Sequence, residues 1–433
     1  MARGRSNEGP EPLLSLLSWL TETASHARTT SALLRALIAE MHDRGLPLAR
    51  MSCGFQTRHP QASMISYHWE RGQFMPEERI LGHDLHSSRA FVDSPIGALD
   101  RSGGVIRRRL CDPDTDIDFP ILRELRDKGL TDYIALRLPV GQPALCAITW
   151  ATDRPGGFTD REIDFFRALN PLIGLVLESR VWRRITRHIL DTYLGRDVGH
   201  QVLEGSVRRG DGESIRAVIW YSDMNGFTEL SDRLNTRDLL SVLNQCLEHQ
   251  IAAIHHFGGE VLKFMGDGLL AIFRIDDSSS GWVDSVSEVC FAAMRAAELC
   301  FSRLAGYNAH RRVCGLDEVA IRLALHAGRV EFVNIGAPDR LDFTVIGPAV
   351  NLSSRLETLA KKLGHDLVVS EAFVRSWGGD WPWQPRPLGA HAIRGVRRPE
   401  QLFTVRFQPE SHCQVPSLVE HRQVVVNSGK QAA

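Results

Sequence analysis

The chain has no surplus of charge of either sign. Lys and Arg number 51 against 52 Asp and Glu, a net charge of −1, so no global basic field points to nucleic acid or to an anionic membrane. It has no long hydrophobic run either. The longest apolar stretch, around Leu172–Leu177, falls far short of the ~20 residues that cross a bilayer. The polar start, MARGRSNEGPEP, carries no apolar secretory segment behind it. The 8 cysteines are scattered and no CxxC spacing occurs, which supports neither a zinc site nor a disulfide framework. A reduced, cytoplasmic setting is expected. What remains is ordinary soluble composition, 43% hydrophobic and 24% charged. At 433 residues the length favours two or three domains.

Residues 1–10 read as disordered. Over 11–43 the recurrence of Leu13, Leu14, Leu16, Leu17 and Leu20, then of Leu33, Leu34 and Leu37, predicts helix. The runs LARMSCGF and ASMISYHW predict strands joined by the turn-rich TRHPQ. A polar, irregular stretch covers roughly 70–115. DYIALRLPV and LCAITWAT, separated by GQPA, predict a hairpin. A long helix then opens on a capping box, Thr159 with Glu162, and contains Pro171, where a kink is expected. This order predicts a small α+β sensor-like module over 11–180. By architecture, with no motif behind it, it resembles a GAF domain.

Residues 181–213 read as a helical linker rich in Gly and charge. From 214 to 408 the pattern becomes a compact α/β domain. AVIWYSD predicts a buried strand, and Leu239, Leu240, Leu243, Leu247, Ile251 and Ile254 share one helical face. EVLKFMGDGLLAIF predicts two strands around a Gly-Asp-Gly turn. A helix is expected over 283–305, and strands at VAIRLALHAG, VEFVNIG and DFTVIG. The helix VNLSSRLETLAKKLG closes at Gly364. The tail from 409 to 433 shows no periodicity and reads as flexible.

Two aspartates carry most of the chemical information. Asp223 ends one apolar run and Asp267 follows another, each with glycine close behind. Alone, Asp-x-x-Gly is ordinarily a cap or turn, and Gly-Asp-Gly a turn. Together on neighbouring strands they place two carboxylates at one sheet edge, as divalent ions and a triphosphate require. Gly226, Phe227 and Thr228 lead into a helix whose first N–H groups suit phosphate oxygens. Lys263 precedes Asp267 by four positions, and on a strand the two would share a face. Its plain reading is a solvated lysine. Asn351 and Arg355 are i and i+4 on a helix and project together. An ordinary surface arginine competes with a phosphoryl-stabilising one.

Taken in order, SDMNGFTEL, LKFMGDGLLAIF, HAGRVEFVNIG and DFTVIGPAVNLSSRLE closely resemble the catalytic domain of class III nucleotidyl cyclases, over about 214–407. The resemblance implies a ferredoxin-like, palm-like fold and conversion of ATP to cyclic AMP. It implies two divalent ions, Mg²⁺ or Mn²⁺, on Asp223, Asp267 and the main-chain carbonyl of Met224. Lys263 and Thr344 correspond to the purine-selecting pair, Asn351 and Arg355 to the ribose-orienting and transition-state residues. Thr at that second position goes with adenylate cyclases, several of them responsive to bicarbonate. A guanylate cyclase would carry Glu where Lys263 stands. In the family one subunit supplies the metal ligands and its neighbour the other residues, which implies a head-to-tail homodimer. A terminal-phosphate cation is expected in AIRGVRRPEQLFTV, where Arg394, Arg397 and Arg398 compete and Arg397 is the expected residue. Pro348 stands where bacterial relatives usually have Asp, and Val333 replaces a common glycine.

Two other readings compete with an adenylate cyclase governed by its N-terminal module. One is a catalytically silent, cyclase-like binding or dimerisation domain, which the full set of core residues opposes. The other is a diguanylate cyclase, prompted by Gly258–Gly259–Glu260; here that triplet precedes the strand bearing Lys263 and reads as a helix-to-strand turn. A guanylate cyclase remains the alternative within the family. No metal cluster, haem motif or nucleotide loop is legible in 1–180.

Overall fold

A computed structural model describes residues 11–407, with breaks at 60–61, 83–84, 86–87, 103, 140, 142–145, 206–207, 209, 211, 276–281 and 378–380. The expected disorder at 1–10 and in the tail lies outside the described residues. The chain divides into two compact units, with the boundary between Ile189 and Leu190, inside the stretch 181–213 read as a linker.

The first unit opens with two helices in place of the single helical region over 11–43: α1 (Glu11–His26) and α2 (Thr30–Asp43). The break is local. Thr29 is extended (φ −126°, ψ 158°) and its hydroxyl accepts the Ala32 N–H at 3.1 Å, an N-cap that restarts the helix. Strands β1 (Arg50–His59) and β2 (Ala62–Glu70) follow, then β3 (Glu77–Leu81), α3 (Arg89–Val92), α4 (Pro95–Ser102) and β4 (Val105–Arg108). The stretch expected to be irregular therefore holds two edge strands, of 5 and 4 residues, too short to show a period. After α5 (Pro120–Asp127), β5 (Asp132–Arg137) and β6 (Cys146–Thr152) form the expected antiparallel pair.

The six-stranded sheet runs β3-β2-β1-β6-β5-β4 with every pairing antiparallel. Alternation along β5 covers both faces. Ile134 and Leu136 join the core with Leu33 and Phe166, while Tyr133 and Ala135 face Leu122 and Leu125. Helix α6 (Asp160–Leu194) starts on the capping box: Thr159 N–H donates to Glu162 at 2.7 Å and Glu162 N–H to the Thr159 hydroxyl at 3.3 Å. It runs as one 35-residue element with Pro171 inside it.

The second unit contains α7 (Arg196–Leu203), β7 (Gly212–Met224), α8 (Phe227–Arg233), α9 (Thr236–His256), β8 (Glu260–Met265), β9 (Gly268–Ile275) and α10 (Trp282–Val313). It continues with β10 (Ile321–Ala337), β11 (Arg340–Ile346), α11 (Pro348–Leu363), β12 (Leu367–Ser370), α12 (Glu371–Arg375), β13 (Arg386–His391) and β14 (Glu400–Thr404). Strand order is β13-β14-β12-β10-β7-β9-β8, with β11 hung on β10. The two strands expected at VAIRLALHAG and VEFVNIG are one, because pairing with β7 continues from Ile321↔Met224 to Val333↔Gly212.

Central β7 is apolar on both sides, as a doubly covered strand must be. Val218 and Trp220 pack in the α9–α10 core, and Ala217 and Ile219 pack with Phe332 and Ala349 on the other face. On α9 the buried line is Val242, Cys246, Gln250, Ala253 and Ile254; Leu239, Leu243, Leu247 and Ile251 flank it, and Leu240 is exposed. A buried carboxyl ties α7 to the sheet. Buried Glu260, at the start of β8, accepts the N–H groups of Asp197 (3.2 Å) and Val198 (3.4 Å) in the first turn of α7. Burial, then the Asp197 charge, pushes this carboxyl up to about 7. Among the described residues no helix is long and apolar enough to cross a membrane.

Candidate active site

Register brings the two aspartates together. In the antiparallel β7–β9 pair, Ser222 lies opposite Leu269, so the next residue of β7, Asp223, meets the Gly266–Gly268 turn that holds Asp267. The approach is close enough to require glycine. A Cβ on Gly268 would lie 2.2 Å from the Ser222 carbonyl oxygen and 3.2 Å from Asp223 Oδ1. Gly266 turns the hairpin at φ +69°.

The Asp223 carboxyl is pushed up to about 6, first by burial, then by the charges of Asp267 and Glu357. One cation opposes this. Arg322 is the cross-strand partner of Asp223, reaches it at 3.5 Å, and donates through Nε to Glu357 of α11 at 2.9 Å. Asp223 and Asp267, whose charges repel beside the guanidinium that Asp223 shares with Glu357, form a hard-oxygen donor pair, and such a pair fits a divalent cation. No group of three or more His, Cys, Asp or Glu converges among the described residues, so further ligands would have to be main-chain, water or substrate oxygens. The peptide after Met224 is held in place, Asn225 N–H donating to the Ala320 carbonyl at 2.7 Å.

Lys263 does not share a face with Asp267. A bulge between Val261 and Lys263 shifts the register of β8, and Asp267 lies in the turn rather than on the strand. The Lys263 ammonium instead lies 3.5 Å from Asp342 of β11. Asp342 and Thr344 are i and i+2 and so occupy one face of that strand. Thr344 is buried, with its hydroxyl unpartnered among the described residues. The structure thus brings Lys263 to the face of β11 that carries Thr344.

Gly226, at φ +69°, is the N-cap of α8 and brings no side chain to cap the first N–H groups of the helix. On α11 the buried residues are Ala349, Ser353, Leu356, Glu357 and Ala360. Asn351 is exposed and Arg355 half-buried. Arg355 and Glu357 are separated by about 200° around the helix at about 100° per residue. Asn351 and Arg355 therefore face away from the Arg322–Asp223 side. The Arg355 guanidinium packs over Gly395, 3.0 Å from where a Cβ would stand, which puts it beside the segment of Arg394, Arg397 and Arg398, all three exposed.

Residues 213–383 match the family model of the adenylate and guanylate cyclase catalytic domain. The second unit carries a class III nucleotidyl cyclase domain. The chain is 30% identical over 175 residues to an adenylate cyclase of Anabaena cylindrica, covering 40% of this chain and 32% of that protein. It is 28% identical over 187 residues to adenylate cyclase 1 of Rhizobium meliloti, covering 43% and 26%. The chain thus spans about a third or less of these relatives. Among solved structures it is similar to the adenylyl cyclase CyaB of P. aeruginosa, with 27% identity and a TM-score of 0.39 over 46% of this chain and 97% of that one.

Both departures from the usual cyclase sequence are absorbed locally. Pro348 is the first residue of α11 after the Gly347 N-cap, where a missing N–H costs nothing. Val333 pairs with Gly212, whose absent side chain leaves the room: a Cβ there would meet Val333 Cγ1 at 2.4 Å. Arg322 and Glu357 complete the charge pattern around Asp223, and Asp342 pairs with Lys263; sequence reasoning passed over all three. Only strand register exposes them, although Arg322 stands out as a lone charge in the apolar run VAIRLALHAG.

Proposed function

We propose that this chain is an adenylate cyclase that converts ATP to 3′,5′-cyclic AMP and pyrophosphate at the interface of a head-to-tail homodimer. The observation that carries the chemistry is the meeting of Asp223 and Asp267 across the β7–β9 edge, with Asp223 held up to about 6. Two Mg²⁺ or Mn²⁺ ions, when bound, would supply charge neutralisation on the triphosphate and acidify the ribose 3′-hydroxyl. Asp223, Asp267 and the Met224 carbonyl would hold them. The uncapped first turn of α8, from Gly226 through Phe227 and Thr228, faces phosphate oxygens. In the reaction the 3′-oxygen bonds to the α-phosphorus as the bond to the β-phosphate oxygen breaks, and pyrophosphate leaves.

The dimer reading rests on α11. Its two faces keep Arg355 turned away from the Asp223 side of the same chain, so Asn351 and Arg355 of the partner subunit would orient the ribose and meet charge on the α-phosphorus. Exposed Phe264, Ile335, Leu341 and Ile346 on β8, β10 and β11 offer apolar surface for a second copy. Adenine presents an acceptor at N1 and a donor at N6. The Lys263 ammonium and the unpartnered Thr344 hydroxyl complement that pair, and guanine reverses both roles. Arg397 is the cation assigned to the terminal phosphates. The first unit, an antiparallel sheet between helices, reads as a GAF-like regulatory module.

Mixing tests chemistry and assembly together. Asp267→Ala and Arg355→Ala chains, each inactive alone, should regain about a quarter of the wild-type rate when combined, since half the dimers then hold one intact site. No recovery from two folded, mixing chains would refute the shared site. Faster turnover of GTP than ATP, read by mass spectrometry of the products, would refute the adenine assignment.

A further inference from the structure

The first unit contains an open cleft of about 890 Å³ lined by residues from the start of α2, from β3 and from α6. Its charge is one-sided. Arg28, Arg180, Arg183, Arg184 and Arg187 line it together with His188, against a single carboxylate, Glu78, in a chain whose net charge is −1. Four of the arginines stand at i, i+3, i+4 and i+7 on α6, which gathers them into one stripe. Like charges at that spacing weaken a helix.

The cations are only partly used within the unit. Arg184 is taken: it grips Glu78 with bonds of 2.9 and 2.5 Å and donates to the Tyr67 hydroxyl at 3.1 Å. Arg180 donates to the Ala27 carbonyl, and burial, then the Arg183 charge, lowers its pKa. Arg28, Arg183 and Arg187 are exposed and make no hydrogen bond or ion pair among the described residues. Three free guanidinium forks therefore converge on a concave surface whose single acid is already paired.

We propose that this cleft binds a compound carrying two or more linked phosphoryl groups spread over about 6 Å, the rise of four helical residues from Arg183 to Arg187. Guanidinium forks match phosphoryl oxygens bidentately. Linked phosphoryl groups engage the Arg183 and Arg187 forks separately, whereas a lone orthophosphate leaves the two to share one set of oxygens. The volume suits a small molecule, and the site is independent of the cyclase domain's chemistry. The same chemistry occurs in soluble oligophosphates and in polyphosphorylated lipid headgroups.

The test uses the full chain in EDTA, which suppresses metal-dependent binding in the cyclase domain, at about 0.15 M salt. Inorganic tripolyphosphate is titrated by calorimetry, and vesicles of phosphatidylcholine containing phosphatidylinositol bisphosphate are used for co-sedimentation. The double variant Arg183→Gln/Arg187→Gln should bind at least about tenfold more weakly. Arg123→Gln/Arg126→Gln, on the exposed side of α5, should bind within about twofold of wild type, and orthophosphate at least about tenfold more weakly than tripolyphosphate. Tripolyphosphate binding assigns a soluble ligand, and sedimentation alone assigns a headgroup. Absence of both overturns the proposal, as does retention of the observed binding by the Arg183/Arg187 variant, equal loss in the α5 variant, or equal affinity for orthophosphate.

Discussion

Glu260→Gln should make the protein more stable, but only at neutral and alkaline pH. The carboxyl is buried, accepts two N–H groups from the start of α7, and titrates at about 7 instead of the usual 4.5. A raised acid pKa means that the folded chain holds its proton more tightly than the unfolded chain does. The stabilisation is complete below pH 4.5 and is lost as pH rises through 7. A shift of this size corresponds to about 3 kcal/mol at 1.36 kcal/mol per pH unit. Glutamine keeps an oxygen that accepts both N–H groups and has no charge to desolvate. The difference in unfolding free energy between variant and wild type should therefore climb by up to about 3 kcal/mol between about pH 4.5 and 8.5. Chemical denaturation of both chains across that range reads it directly, and groups common to both cancel. A difference that stays flat with pH, whatever its offset, would refute the reasoning.

Three further outcomes follow from the site. Gly268→Ala should cost about 2–4 kcal/mol in a denaturation midpoint, because its Cβ would strike the Ser222 carbonyl, and metal-dependent turnover should fall with it. Removing Arg322 strands Glu357 and Asp223 without their shared cation, so Arg322→Gln should destabilise by roughly 3–5 kcal/mol in urea unfolding. Lys263→Glu should lower kcat/KM for ATP by roughly 100-fold or more while leaving the thermal midpoint within a degree or two, since Lys263 has one exposed ion pair.

The parts of the molecule that could be read from the sequence are those whose signal is local. Asp223 and Asp267 were legible because each interrupts an apolar run beside glycine. Thr159 with Glu162 announced α6 because a capping box is four consecutive residues. Lys263 was placed on the wrong neighbour because a single bulge after Val261 breaks the alternation on which face assignments rest. Asp342 and Arg322 escaped notice for a related reason. Each meets its partner across a strand pairing or a sheet edge, 79 and 99 residues from Lys263 and Asp223 respectively, and no periodicity encodes that distance. Edge strands β3 and β4 were missed because so few residues carry no measurable alternation. The same shortness hid the break at Thr29, where one hydroxyl decides whether a helix continues.

Helix α11 sets Glu357 and Arg355 back to back. If the site is completed between two copies, a solitary chain holds both halves of the machinery facing in incompatible directions and is idle without any inhibitor. At low occupancy the output would then grow with the square of protein concentration, so expression level and local crowding of copies would themselves act as the throttle.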